Sequence, residues 1–185
     1  MNRRNLLVAG VAAVAAAAGV GGAWWRERRQ LDVEGAAAAS SASAPTAAAD
    51  IWAQRFDQPG GGELVLANLK GQPLLLNFWA TWCPPCVTEM PLLDRFQTAQ
   101  RGRGWQVVGL AVDSPTPVRE FLARQPMSFL IGLAGLNGIE LARSLGNASG
   151  ALPFSVVFDR SGNAVRTKLG SLHDKDLSDW VSALG

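Results

Sequence analysis

Leu74-Leu75-Leu76-Asn77-Phe78-Trp79-Ala80-Thr81-Trp82-Cys83-Pro84-Pro85-Cys86 is the stretch on which the reading of the fold turns. From Leu74 to Trp79 it is apolar with one interruption, Asn77, the pattern of a strand buried on both faces of a sheet. Two prolines follow Cys83, and proline suits the first turn of a helix, where its missing N–H would have no partner anyway. Val87, Met90, Leu93 and Phe96 recur at helical spacing, which predicts a helix from Cys83 to Gln100 with a kink at Pro91. A second strand, Trp105 to Val112, makes the whole a βαβ unit.

Working outward, Glu63 to Leu66 reads as a short strand upstream. Downstream, Thr116 to Arg124 reads as a helix between prolines, Phe129 to Leu133 as a short strand, and Ile139 to Leu145 as a helix closed by Gly146 and Asn147. Phe154 to Asp159 and Ala164 to Leu169 flank the turn Ser161-Gly162-Asn163 and predict a hairpin. The last helix spans Asp174 to Leu184, with Leu177, Trp180, Val181 and Leu184 on its inner face and acids in its first turn. The expectation is an α/β domain over residues 51–185: βαβ, an inserted strand and helix, then ββα, around a central mixed sheet.

The rest of the chain has a different character. Leu6 to Trp25 is uncharged and long enough to cross a bilayer, although Ala and Gly dominate it. Arg3 and Arg4 precede it; Trp24, Trp25 and Arg26 follow, resembling the interfacial end of a retained helix more than a cleavage region of small residues. Residues 1–30 are therefore read as a membrane anchor, the alternative being a cleaved signal that leaves an exported soluble protein. Asn2-Arg3-Arg4-Asn5-Leu6-Leu7 resembles a twin-arginine signal, but an ordinary basic n-region is the favoured reading. Residues 31–50, mostly Ala, Ser, Pro and Thr, cannot bury a core and read as a flexible linker. Five of the 17 basic residues lie before residue 30, so the net charge of +2 belongs to this leader. The neutral remainder lacks the basic footprint of a nucleic-acid binder.

The chemistry sits at the junction of strand and helix. A thiol at a helix N-terminus meets unpaired N–H groups and the positive end of the dipole, which favour thiolate over thiol. Cys83 is therefore the candidate nucleophile. Cys86, one turn further on, can attack a mixed disulfide at Cys83 and release the product. A structural disulfide across so short a loop would stabilise little, and no second Cys pair or His pair completes a zinc site. No cofactor or metal is expected beyond the dithiol itself. Glu89 shares the helix face of Cys86 and is a candidate proton relay for its thiol. Pro84 withholds a backbone N–H from the thiolate, which implies a less acidic Cys83 and a more reducing couple. Trp79 reads as core, Trp82 as either core or part of an apolar rim, and His173 as a surface or capping residue.

Asn77-Phe78-Trp79-Ala80-Thr81-Trp82-Cys83-Pro84-Pro85-Cys86, with Glu89-Met90-Pro91 after it, resembles the membrane-anchored, extracytoplasmic thioredoxin-like reductases of the TlpA, ResA and CcmG type. The likeness runs from about Asp50 to Gly185 and is weakest in the inserted segment. It implies a thioredoxin fold and an inner-membrane protein whose domain faces the periplasm and keeps client thiols reduced. It also implies a transmembrane thiol donor, with apocytochrome c or copper-oxidase assembly factors as clients. The resemblance places Glu89 near the dithiol; ordinary thioredoxins carry an acid where this chain has Asn77, so Glu89 is expected to take over that role. It further implies a cis peptide at Pro153, with the Leu152 backbone pairing with a client and Trp82, Pro84 and Pro153 shaping the docking surface.

Two alternatives remain at this level. A thiol peroxidase would share the fold, but such enzymes carry P-x-x-x-T-x-x-C, whereas Trp79-Ala80-Thr81-Trp82 precedes Cys83 here. A copper carrier would use Cys83, Cys86 and His173, but with one more residue between its thiols than this chain has.

Overall fold

The computed structural model describes residues 51–184. The expected anchor over residues 1–30 and the linker over residues 31–50 lie outside them. Among the described residues no helix is long and apolar enough to cross a membrane.

In the described region one seven-stranded sheet is built from β1 (Arg55–Asp57), β2 (Glu63–Val65), β3 (Leu74–Trp79), β4 (Gln106–Ala111), β5 (Leu130–Leu133), β6 (Phe154–Phe158) and β7 (Ala164–Leu169). Their order across the sheet is β2-β1-β5-β4-β3-β6-β7. β3, β4 and β5 are parallel to one another; β6, β7, β1 and β2 join antiparallel, so the sheet is mixed. The α-helices among the described residues are α1 (Pro84–Gln100), α2 (Pro115–Arg124), α3 (Asn137–Ser144) and α4 (Asp174–Leu184). The expected order of βαβ, insertion and ββα is realised.

β3 lies centrally and all six of its residues are buried. Alternation divides them between two cores. Leu75 and Trp79 pack with Met90, Leu93 and Phe96 of α1, Phe121 of α2, and Leu177 and Trp180 of α4. Leu74, Leu76 and Phe78 pack on the opposite side with Ala142 of α3 and with Ile51, Trp52 and Leu66. Asn77 points toward the α1 side, a polar group in an otherwise apolar strand.

α1 continues through Pro91, which is exposed and lacks the N–H that would have bonded to the Val87 carbonyl. β1 has no counterpart in the sequence reading. It is three residues long, mostly exposed, and exists because it pairs with β2 along its length and with β5 through Asp57 and Leu133. Tertiary pairing, not local pattern, makes it a strand.

Candidate active site

Cys83 is the N-cap residue of α1, in extended conformation, with Pro84 and Pro85 at the first two helical positions. Cys83 and Cys86 are joined as a disulfide with Cα atoms 5.3 Å apart. Cys83 retains 5% of its surface in contact with solvent, while Cys86 has none. Of the two cysteines only the first retains any solvent-exposed surface.

The cap also decides which backbone groups face the sulfur. Neither Pro84 nor Pro85 has an N–H, and the Val87 N–H already donates to the Cys83 carbonyl at 3.1 Å. The Cys86 N–H is then the one donor of the first turn left to a thiolate at Cys83.

Glu89 is 4% exposed. Its Oε1 accepts a hydrogen bond from Asn77 Nδ2 at 2.8 Å, and its Oε2 accepts one from the Leu172 backbone N–H at 2.7 Å. Burial pushes its pKa above the ordinary carboxylate value; the Leu172 N–H, Asn77, Lys168 and His173 pull the other way without cancelling it. A buried acid of raised pKa, one helical turn beyond a buried thiol, has the properties of a proton acceptor. Asn77 lies in the apolar strand where the sequence placed it and bonds directly to Glu89.

The Leu152–Pro153 peptide is cis. The Pro153 carbonyl accepts from the Gly170 N–H at 2.9 Å, whereas neither backbone group of Leu152 is engaged by another described residue. Leu152 is half-buried and packs on the cluster that contains Cys83 and Cys86. Trp82 is 62% exposed, and Leu136 beside it 78%. Together with Val112, Asp113 and Pro115 they border a cleft of about 410 Å³. Pro84 is exposed at the helix start. A larger cleft of about 550 Å³, bounded by Arg119, Leu122 and Met127, contains none of these residues.

Sequence reasoning missed three residues that hold this arrangement. Asp113 accepts from both the N–H (2.9 Å) and the hydroxyl of Thr81 through one oxygen, and from the Ser114 N–H at 2.7 Å through the other, clamping the turn before Cys83. Asn147, buried, donates to the Ala151 carbonyl at 2.8 Å and accepts from Ser149, bracing the loop that enters the cis peptide. Ser155 accepts from Asn77 Nδ2 at 3.0 Å. None sits in a recognisable motif; the one hint was a polar residue, Asn77, inside an apolar strand, which announces buried partners.

His173 is exposed at the cap of α4, where its backbone N–H donates to Asp176 Oδ2 at 2.8 Å, a capping role. Among the described residues no group of three or more His, Cys, Asp or Glu is disposed to hold a metal ion.

The redoxin family profile matches residues 38–184, most of the chain. The chain belongs to the redoxin family. Within it, this redoxin is 27% identical over 125 residues to the thiol-disulfide oxidoreductase ResA of Bacillus anthracis, a span of 67% of this chain and 70% of that protein. Among solved structures it is similar to a thioredoxin-related protein from Neisseria meningitidis serogroup B, at 32% identity and a TM-score of 0.62, over 71% of this chain and 98% of that one. A thiol:disulfide interchange protein of the thioredoxin family from Chlorobium tepidum shares 29% identity at a TM-score of 0.62, over 71% and 92%. With the thioredoxin-like sheet and the paired cysteines, these relatives make the redoxin described here a thiol:disulfide oxidoreductase whose substrates are protein disulfides.

Proposed function

We propose that the protein is an extracytoplasmic reductase of protein disulfides, with Cys83 as nucleophile, Cys86 as resolving thiol and Glu89 as proton relay. The observation that carries this is the contrast between the two sulfurs. Cys83 is reachable at the cap of α1, and Cys86 is sealed one turn below beside a buried carboxyl.

In the reduced protein the Cys83 thiolate attacks one sulfur of a client disulfide. A Cys83–client bond forms, and the second client sulfur leaves as a thiolate that takes a proton from water. Cys86 then passes its proton to Glu89 and attacks Cys83, releasing the first client sulfur and closing the disulfide seen in this structure. Two electrons have passed from the dithiol to the client. The unpaired backbone of Leu152 supplies a strand-like edge for the client, Pro153 contributes shape without a donor, and Trp82 and Pro84 form the apolar rim around Cys83.

The domain of residues 51–185 is recharged by a membrane thiol donor, tethered by the linker over residues 31–50 to an anchor over residues 1–30. In this reading the domain lies on the periplasmic side of the inner membrane, and cytochrome c or copper-oxidase maturation factors are its clients. The uncharged run Leu6 to Trp25 and the identity to a ResA protein support this placement.

Replacing Cys86 with Ser tests the assignment. The variant is expected to accumulate a client joined to Cys83, seen as a reducible adduct by mass spectrometry. An adduct at neither cysteine, or vigorous peroxide consumption by the native protein without a client, would overturn the reading.

A further inference from the structure

Asn77, Ser155 and Glu89 come from three different elements and meet where water does not reach. Asn77 and Ser155 have no exposed surface and Glu89 has 4%. The antiparallel register of β3 and β6 sets Asn77 directly opposite Ser155. Asn77 Nδ2 gives one hydrogen to Glu89 Oε1 at 2.8 Å and the other to Ser155 Oγ at 3.0 Å. Asn77 Oδ1, at the far end of the same amide, is buried without a partner. This pairing offers Glu89 donors alone, the arrangement that suits its ionised form best. With Oε2 accepting from the Leu172 N–H, a proton placed on the Oε1 lone pair that now accepts from Asn77 would face the hydrogen of Nδ2.

We propose that Asn77 is a positioning residue whose side-chain amide turns over when Glu89 takes up a proton, so that this carboxyl stays hydrogen-bonded in both of its states. After half a turn Oδ1 occupies the place of Nδ2 and accepts from Glu89 Oε1–H and, with its hydroxyl reversed, from Ser155 Oγ–H. One proton moves from Cys86 Sγ to Glu89 Oε1, and no other bond is made or broken. The far end of the amide is unpaired in either state, so the turnover exchanges one unpaired group for another and adds none. An Asp at this position has no hydrogens to give the carboxylate, and a Leu can serve neither state.

The inference rests on the reading of Glu89 as the acceptor of the Cys86 proton. The other charged groups around that carboxyl are Lys168 of β7, itself paired with Asp176 of α4, and His173 at the α4 cap.

The test is a pH titration of the full chain in its disulfide form, where neither cysteine ionises. The Glu89 carboxyl carbon and the Asn77 side-chain amide are followed together by NMR. The two are expected to move with one midpoint, and the Asn77 movement is expected to vanish in Glu89→Gln. Asn77 resonances that stay still through the Glu89 midpoint, or move identically in Glu89→Gln, would overturn the inference, and the native titration alone suffices for the first of these. In the reduced protein, Asn77→Leu should shift the acid limb of the resolving step to higher pH. If Asn77 follows Glu89 but that limb is unchanged in Glu89→Gln, the relay reading fails while the amide turnover stands.

Discussion

Glu89 is held by two donors in a site with almost no water, and its raised pKa is the net result of burial winning over those donors. The sign has a consequence for stability. The folded protein binds this proton more tightly than the unfolded chain, so the contribution of Glu89 is complete below the ordinary carboxylate range. It is lost as pH rises through the raised folded value. In Glu89→Gln that loss is absent, and the melting temperature of the variant relative to native is expected to climb across the same window. Calorimetry at several pH values checks it. The resolving step should slow roughly 10²-fold in the variant, the lower end of what a positioned acid–base group contributes. Cys83, Cys86 and Glu89 could be singled out by their spacing around one motif, whereas the cis peptide at Pro153 was legible only through the family resemblance. Asp113 and Ser155 were not, because each acts on a residue more than 30 positions away in the chain, Thr81 and Asn77 respectively, and such pairing exists only once the sheet has formed.

At the scale of elements, the start of α1 governs the redox couple. With Pro84 and Pro85 in place, one backbone donor remains for a thiolate at Cys83. Pro84→Gly restores another. A hydrogen bond to a charged group is worth roughly 1.5 kcal/mol or more, so the couple should become less reducing by about 30 mV or more, measurable against glutathione. An unchanged potential would show that the missing N–H is irrelevant. Further along α1, buried Gln97 donates to the Trp105 carbonyl at 3.1 Å and accepts from the Val107 N–H at 2.6 Å, stapling the helix to the start of β4. Gln97→Leu strands both backbone groups and is expected to cost about 2–4 kcal/mol, read as a lower urea midpoint with the dithiol chemistry retained. α1 and α4 could be read from the sequence because their apolar residues follow the helical period, and β3 because its nearly continuous apolar run suits a strand buried on both faces. β1 could not, since its three residues carry no period and become a strand through neighbours far away in the chain.

For the whole molecule, the packing between the parallel strands β3, β4 and β5 leaves no slack at Gly109. A Cβ on Gly109 would lie 2.9 Å from Ile131 and 3.0 Å from the Trp79 indole nitrogen. Gly109→Ala is therefore expected to destabilise by about 1–3 kcal/mol in a denaturant titration. The thioredoxin-like architecture was foreseeable from the order of elements, because short connections and right-handed crossovers leave few ways to assemble βαβ and ββα units. The order of strands at the β2-β1-β5 edge was not, since it depends on pairing that no local signal encodes. All the residues assigned to the chemistry lie within residues 51–184, so a fragment over residues 51–185 should reduce insulin disulfides as fast as the full chain.

In the reduced protein the cap of α1 is expected to hold a reactive sulfur anion at Cys83 while Cys86 stays protonated and sealed. The most direct measurement is the rate of alkylation of each thiol in the reduced protein as a function of pH. Cys83 is predicted to react through a midpoint below that of free cysteine, about 8.5, with Cys86 far slower throughout. A Cys83 whose rate follows free cysteine, or a Cys86 that reacts first, would contradict it.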